Sequence, residues 1–281
     1  MNTIFLFEIQ RLRKHWFSYA IAITLMGIGI FCGNNFNMSV SDGIYLNSPY
    51  TIGFITGMLS LAVIFIAIIY AIQQLFKDQD SKFYIVLFSF PLSQRKYLNG
   101  HFASYFLYTF LSFVFIVLGF IIGQNLRSGS EIQTNFNAWH YIYPLLIFGF
   151  LNCFLVCSFL FFISFTTRKK LLVVVGGLLL YVFYMVVLVF SNSPFMAGSL
   201  PQSAEVQHLS AIADPFGLSS YFLEAKDLNI QQKNTQVTPF SGILLLNRSL
   251  YFTISLALLI LTHSLFSLVQ CFTRSPVPTA V

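Results

Sequence analysis

Hydrophobic residues in this chain gather in long uninterrupted runs, and polar positions collect in the stretches between them. Six runs are long enough to cross a bilayer: Trp16 to Cys32, Thr51 to Ile72, Phe102 to Gly123, Tyr141 to Phe165, Leu171 to Phe190 and Leu250 to Cys271. A helix needs roughly twenty apolar residues to traverse the hydrocarbon core. Strands that cross would instead alternate apolar and polar positions over about ten residues, and these runs are apolar all round. The pattern predicts an all-α integral membrane protein with six transmembrane helices. It forms a single membrane domain over residues 1–272, with an extracytoplasmic loop at 191–249 and a short tail at 273–281.

Two stretches depart from the pattern. At the start, Ile4, Phe5, Phe7, Ile9 and Leu12 are interleaved with Glu8, Arg11, Arg13 and Lys14, which suits an amphipathic helix lying in the membrane interface. A cleaved signal would put its positive charges first and end at a small-residue site, and this stretch does neither. The second departure is DSKFYIVLFSFPLSQRKYLNG, Asp80 to Gly100, whose apolar centre is too short to span. Ser81 to Ser89 can form a short helix, Pro91 stops it, and Ser93 is placed to cap a new helix running into the third span. That elbow can rest among lipid headgroups, or present Phe83 and Leu87 to a soluble partner with Asp80, Lys82, Arg95 and Lys96 as the rim.

Composition agrees with a bilayer setting: 57% of residues are hydrophobic and 9% charged, where soluble domains carry about a quarter charged residues. Charge then adds direction. With the N-terminus cytoplasmic, eleven of the fifteen Lys and Arg residues fall on inner segments and only Arg127, Lys226, Lys233 and Arg248 on outer ones. This follows the positive-inside rule, and it accounts for the net charge of +6 through lipid headgroups, without nucleic acid. None of the six runs contains Asp, Glu, Lys or Arg, so the spans lack the buried charges on which ion-coupled transport depends. No G-x-x-x-x-G-K-[ST] loop is present either. Energy for any transport must come from another polypeptide.

KDQDSKFYIVLFSFPLSQRKYLNGHF, between spans two and three, resembles the coupling-helix region of permease subunits of bacterial type-2 ATP-binding-cassette (ABC) transporters. Asp80, Pro91, Ser93, Arg95 and Gly100 match the pattern of that family, while His101 stands where Lys is usual and Lys82-Phe83 replaces Gly-Thr. NSPYTI, DPFGLSSYF, QKNT and SGILLLNRSLYF look like landmarks of a branch whose longer members fuse such a permease to a zinc aminopeptidase-like domain. No H-E-x-x-H occurs, so no such peptidase site is carried.

The resemblance implies a permease half, an exporter in the bacterial inner membrane with both termini cytoplasmic. It would pair with itself or a sister half and be driven by a separate ABC ATPase subunit. ATP would bind that partner, and this chain would hold no cofactor, no metal and no catalytic site. The ATPase-coupling residues implied are Asp80, Lys82, Phe83, Leu87, Pro91, Ser93 and Arg95. A non-transporting scaffold and an intramembrane enzyme are the competing classes; the first would not require the elbow, and the second calls for polar clusters in the bilayer.

In the outer loop, Asp214-Pro215-Phe216-Gly217 reads as a turn, Pro presetting φ and Gly accepting a positive one. A solvated turn leading into a short surface helix at Leu218 to Ala225 is the simpler expectation; a gate or partner-binding role is the alternative. Cys32, Cys153, Cys157 and Cys271 read as apolar free thiols. Gly53 and Gly57, like Gly119 and Gly123, have the small-xxx-small spacing that permits close helix approach.

Overall fold

The structure, a computed structural model, describes residues 2–14, 16–36, 43–80, 93–127, 132, 136–191 and 203–266. Every regular element among them is helical: α1 Asn2–Arg13, α2 Trp16–Asn35, α3 Pro49–Leu59, α4 Ala62–Tyr70, α5 Lys77–Asp80, α6 Gln94–Asn125, α7 Trp139–Pro144, α8 Leu151–Thr167, α9 Lys170–Val189, α10 Ala204–Ala213, α11 Leu218–Glu224, α12 Ile230–Thr235 and α13 Gly242–Leu265. Six helical stretches are long and apolar enough to cross a membrane: Ser18–Asn35, Pro49–Leu75, Gln94–Asn125, Trp139–Thr167, Lys170–Val189 and Gly242–Leu265. The chain is an all-α, multi-pass membrane protein.

Two of the spans are not uniform. A π-helical turn, Ala71–Leu75, ends the second span, and another, Leu145–Phe150, follows Pro144 in the fourth. Proline supplies no N–H and its ring crowds the preceding turn, so a widened turn beside it relieves the helix. The second span is buried along most of its length, with Val63, Ile64, Ala67, Tyr70 and Ala71 at the centre of the main core against Tyr105, Phe113, Val156, Leu160 and Tyr184. The third, fourth and fifth spans pack against it, whereas the first, fifth and sixth are the least buried, and their outward faces carry Ile23, Leu179 and Ile260 exposed, as lipid-facing positions demand.

Helices α2 and α6 run parallel and meet through glycine. A Cβ on Gly29 would lie 3.0 Å from Cα of Gly119, and one on Gly123 would lie 3.0 Å from Cα of Gly33. With no side chains between them, the backbones touch, which in lipid is a source of van der Waals attraction that bulkier residues forbid. The Gly119/Gly123 spacing is thus used within one chain.

At one end of the bundle lie α1, the stems on either side of residues 81–92, the turn at Arg168 and the C-terminal end of α13. The opposite end carries α10, α11 and α12. Residues 203–241, expected as part of a mostly open loop, fold into these three short helices, and α13 begins at Gly242, several residues before the apolar run predicted from the sequence.

Candidate functional site

Helix α1 turns the amphipathic pattern inward. Leu6 and Phe7 are exposed, and Glu8 is buried. In a lipid interface this is the stable arrangement, because apolar side chains are solvated by lipid while charges must find partners. Glu8 finds Arg11 one turn on, at 3.0 Å between Oε2 and Nη2, and Arg11 Nη1 lies 3.8 Å from Oδ1 of Asp78 in α5. Asp78, itself buried, accepts a hydrogen bond from the Tyr97 hydroxyl at 3.0 Å, and His101 Nε2 approaches the same oxygen at 3.3 Å. Gly100 lets Ile4 close against α6, since a Cβ there would sit 3.0 Å from that of Ile4.

Five side chains from three helices therefore form one buried polar cluster. Burial alone would push the Asp78 carboxyl up. The hydrogen bond and charge of His101, then the Tyr97 hydroxyl and Arg11, outweigh it and hold Asp78 below its ordinary value. Glu8 goes the other way: burial, reinforced by the nearby Asp78 charge, raises it despite His101 and Arg11. The hydrogen bond from Tyr97 to the Asp78 carboxylate is charge-assisted, worth about 1.5–3 kcal/mol, and joins α5 to the start of α6, while Arg11 adds α1 through ion pairs.

The same end is tied to the last span. Gln94 Nε2 donates to the carbonyls of His263, at 3.3 Å, and Phe266, and His263 Nε2 lies 2.7 Å from Asn99 Oδ1. Tyr97 stacks on Phe266 with ring centroids 6.4 Å apart.

The residues singled out from the sequence are distributed unevenly around this cluster. Asp80 is exposed and pairs with Lys170 at 2.6 Å, joining α5 to the start of α9. Ser93 occupies the N-cap position of α6 with extended backbone, but its hydroxyl makes no capping hydrogen bond; its carbonyl accepts from Tyr97 N instead. Arg95 is exposed. Lys82, Phe83, Leu87 and Pro91, with the short helix expected at Ser81 to Ser89, lie outside the described residues. Asp78, two residues before Asp80, is the acidic group that reaches inside, and Arg11, Tyr97 and His101 are its partners, with Glu8 joined through Arg11. The signal available in the sequence was the pair of acids in KDQD facing two basic residues in RLR; nothing local distinguished which acid would be buried.

At the opposite end a second cluster surrounds Arg248, whose side chain is 2% exposed. Its Nη1 donates to Asn152 Oδ1 at 2.7 Å, Nε to Asn247 Oδ1 at 2.9 Å and Nη2 to the Pro215 carbonyl at 3.2 Å. Asn152 Nδ2 reaches on to Ser60 Oγ at 2.8 Å. Asn247 Nδ2 donates to the carbonyls of Ala211 and Asp214, each at 2.8 Å. The Asp214 carboxylate in turn accepts from the backbone N–H groups of Phe216 and Ser219 at 2.8 and 2.7 Å.

This corrects two expectations. The Asp214 to Gly217 turn is not solvated: Asp214 and Phe216 are fully buried, Phe216 packs edge-on against Tyr184 at 4.9 Å, and Leu218 to Tyr221 are buried too. Arg248 is not a loop residue, because α13 starts before it and carries the guanidinium inside. The physical reason is common to both. A buried cation needs acceptors on several sides, and the turn supplies a carbonyl while Gly217, at φ +73°, leaves the space that a Cβ would take from the guanidinium.

The remaining landmarks converge here. Tyr221 donates to the Tyr50 carbonyl at 3.0 Å, and Asn234 accepts from Tyr45 N at 3.0 Å and donates to the Gly43 carbonyl at 2.8 Å. Ser48 caps α3, accepting from Thr51 N, with Pro49 in the first turn. Four stretches distant in sequence thus make one folded cap. Among the described residues, no group of His, Cys, Asp and Glu side chains is arranged to hold a metal ion.

Neither the curated proteins nor the solved structures yield a match to this chain. The sequence model of the family described as "ABC-2 family transporter protein" does match, over residues 43–223, a span that takes in Asp78, Tyr97, His101, Asn152 and the Asp214 to Gly217 turn. With six spanning helices and this match over most of its length, the chain belongs to the ABC-2 transporter family, as the membrane-spanning permease component of an ABC transporter.

Proposed function

We propose that this permease is one half of an exporter, driven by a separate ABC ATPase subunit that docks on residues 81–92 at the α1 end. That end is the cytoplasmic one in this reading, and the setting is a bacterial inner membrane. Two halves, identical or sister, enclose the pathway, and ATP binds only the partner subunit. The observation that carries the proposal is the Glu8, Arg11, Asp78, Tyr97 and His101 cluster. It locks the stems before and after residues 81–92 to each other and to α1, so a displacement applied to that segment is delivered to the second and third spans together. Asp80 with Lys170, and Gln94 with the end of α13, extend the same rigid contact to the fifth and sixth spans. The absence of Asp and Glu from the described spanning helices supports an external energy source over ion coupling.

Co-expression with an ABC ATPase subunit tests this reading. Replacing both Phe83 and Leu87 by Asp leaves membrane insertion intact and abolishes co-purification of the ATPase, because two charges enter the apolar segment proposed to dock. Undiminished association of the double variant counts against docking at this segment.

A further inference from the structure

Where α2 and α6 meet through glycine they touch, and toward the α1 end they part. The space between them is a cavity of about 130 Å³ bounded by Arg13, Ser18, Tyr19 and Ala22 on one side and by Tyr70, Tyr108, Leu111, Ser112 and Phe115 on the other. Ser18 and Ala22, four residues apart, are the small residues that leave it open. Tyr19, Leu111 and Phe115 are exposed to the lipid side, so the cavity opens laterally into the bilayer.

The geometry points to a bound anionic phospholipid of the leaflet at the α1 end, with its phosphate at Arg13 and an acyl chain along Leu111 and Phe115. Three observations at three depths carry this. Arg13 is exposed at the mouth, and among the described residues no carboxylate pairs with it, whereas Arg11 two positions earlier is held by Glu8 and Asp78. Below it, the buried hydroxyls of Tyr70 and Ser112 lie 3.0 Å apart and share one hydrogen bond, which leaves one hydroxyl proton for an outside acceptor such as an ester carbonyl. Ser112 is four residues past Tyr108, whose hydroxyl reaches the Ile9 carbonyl of α1, so the hydroxyl pair sits about 6 Å deeper than that interfacial level. Deeper still the lining is apolar. A cation, a hydroxyl donor and an apolar slot in that order match phosphate, glycerol ester and chain, and among the described residues no acidic side chain lines the cavity to oppose an anion. This site is separate from ATPase docking and stands or falls independently of it.

Native mass spectrometry of the full chain in detergent, offered equal amounts of dioleoylphosphatidylglycerol and dioleoylphosphatidylcholine, tests it. The expected result is one retained phosphatidylglycerol per chain, at least fivefold over phosphatidylcholine. Arg13→Gln brings the ratio within twofold of unity, and Ala22→Phe, which fills the cavity, removes retention of either lipid. Lys14→Gln leaves the preference intact, since Lys14 does not line the cavity. Arg13 is exposed, so its variant decides the matter even if Ala22→Phe fails to fold. Equal retention of the two lipids by the native chain overturns the proposal, as does an equal loss in Lys14→Gln. Loss of a dimer in Ala22→Phe with lipid retention unchanged overturns it in favour of a second copy in the groove.

Discussion

Gly217 and Gly43 both have positive φ, +73° and +86°, yet their surroundings differ, and that difference isolates the role of the buried arginine. Alanine at either position enters the left-handed region, at about 1–2 kcal/mol. At Gly43 that is the main effect, because among the described residues the new Cβ would meet only the Ile230 side chain, at an ordinary 3.5 Å. At Gly217 the Cβ would overlap the Arg248 guanidinium. Moving it forfeits at least one charge-assisted hydrogen bond among those to Asn152, Asn247 and Pro215, worth about 1.5–3 kcal/mol, in a buried site. Gly217→Ala should therefore be about 2–3 kcal/mol more destabilising than Gly43→Ala, an additional fall in Tm of about 4–12 °C by the usual scaling for a chain of this size. Cys153 and Cys157 are fully buried free thiols, so a maleimide fluorophore that reacts as they become accessible reports unfolding directly. Equal falls for the two variants would refute the reasoning that the turn exists to seat the guanidinium.

At the other end, Asp78→Asn and Tyr97→Phe, measured singly and together in the same thermal assay, should show a coupling of about 1–2 kcal/mol; strict additivity would mean the hydroxyl and carboxyl do not interact. Their pH dependence has a definite sign. Asp78, held low, contributes stability that is complete above the carboxyl's unfolded value and is lost as pH falls through the lowered one, so Asp78→Asn flattens the acid limb of Tm against pH. Glu8, held high, contributes stability below its unfolded value and loses it as pH rises through the raised one, so Glu8→Gln removes a decline on that side; an unchanged profile in either variant contradicts the assignment. For the helix crossing, Gly29→Ala and Gly119→Ala should each lower stability by about 1–3 kcal/mol through overpacking, while Gly27→Ala, with nothing within 4 Å of the added Cβ, should not.

The six spans and the all-helical class were legible from the chain because hydropathy and run length are one-dimensional properties: a bilayer judges each segment by its own composition. The stretch between the second and third spans stood out for the same reason, being apolar yet too short to span, although the elbow expected there lies outside the described residues. The landmark stretches NSPYTI, DPFGLSSYF and QKNT could be recognised one by one. What joined them could not, since the bond from Tyr221 to Tyr50 crosses 171 positions.

Pairing of charges was likewise decided only in three dimensions. Asp78 and Asp80 have the same chemistry and nearly the same neighbours in sequence, but α5 turns one toward Arg11 and His101 and the other toward Lys170. Reading spans as runs free of charge placed Arg248 outside the sixth helix by construction. Only folding supplied the acceptors, from Asn152, Asn247 and the Pro215 carbonyl, that make its burial stable. Helix type depends on what a segment is, and buried polar chemistry depends on what meets it.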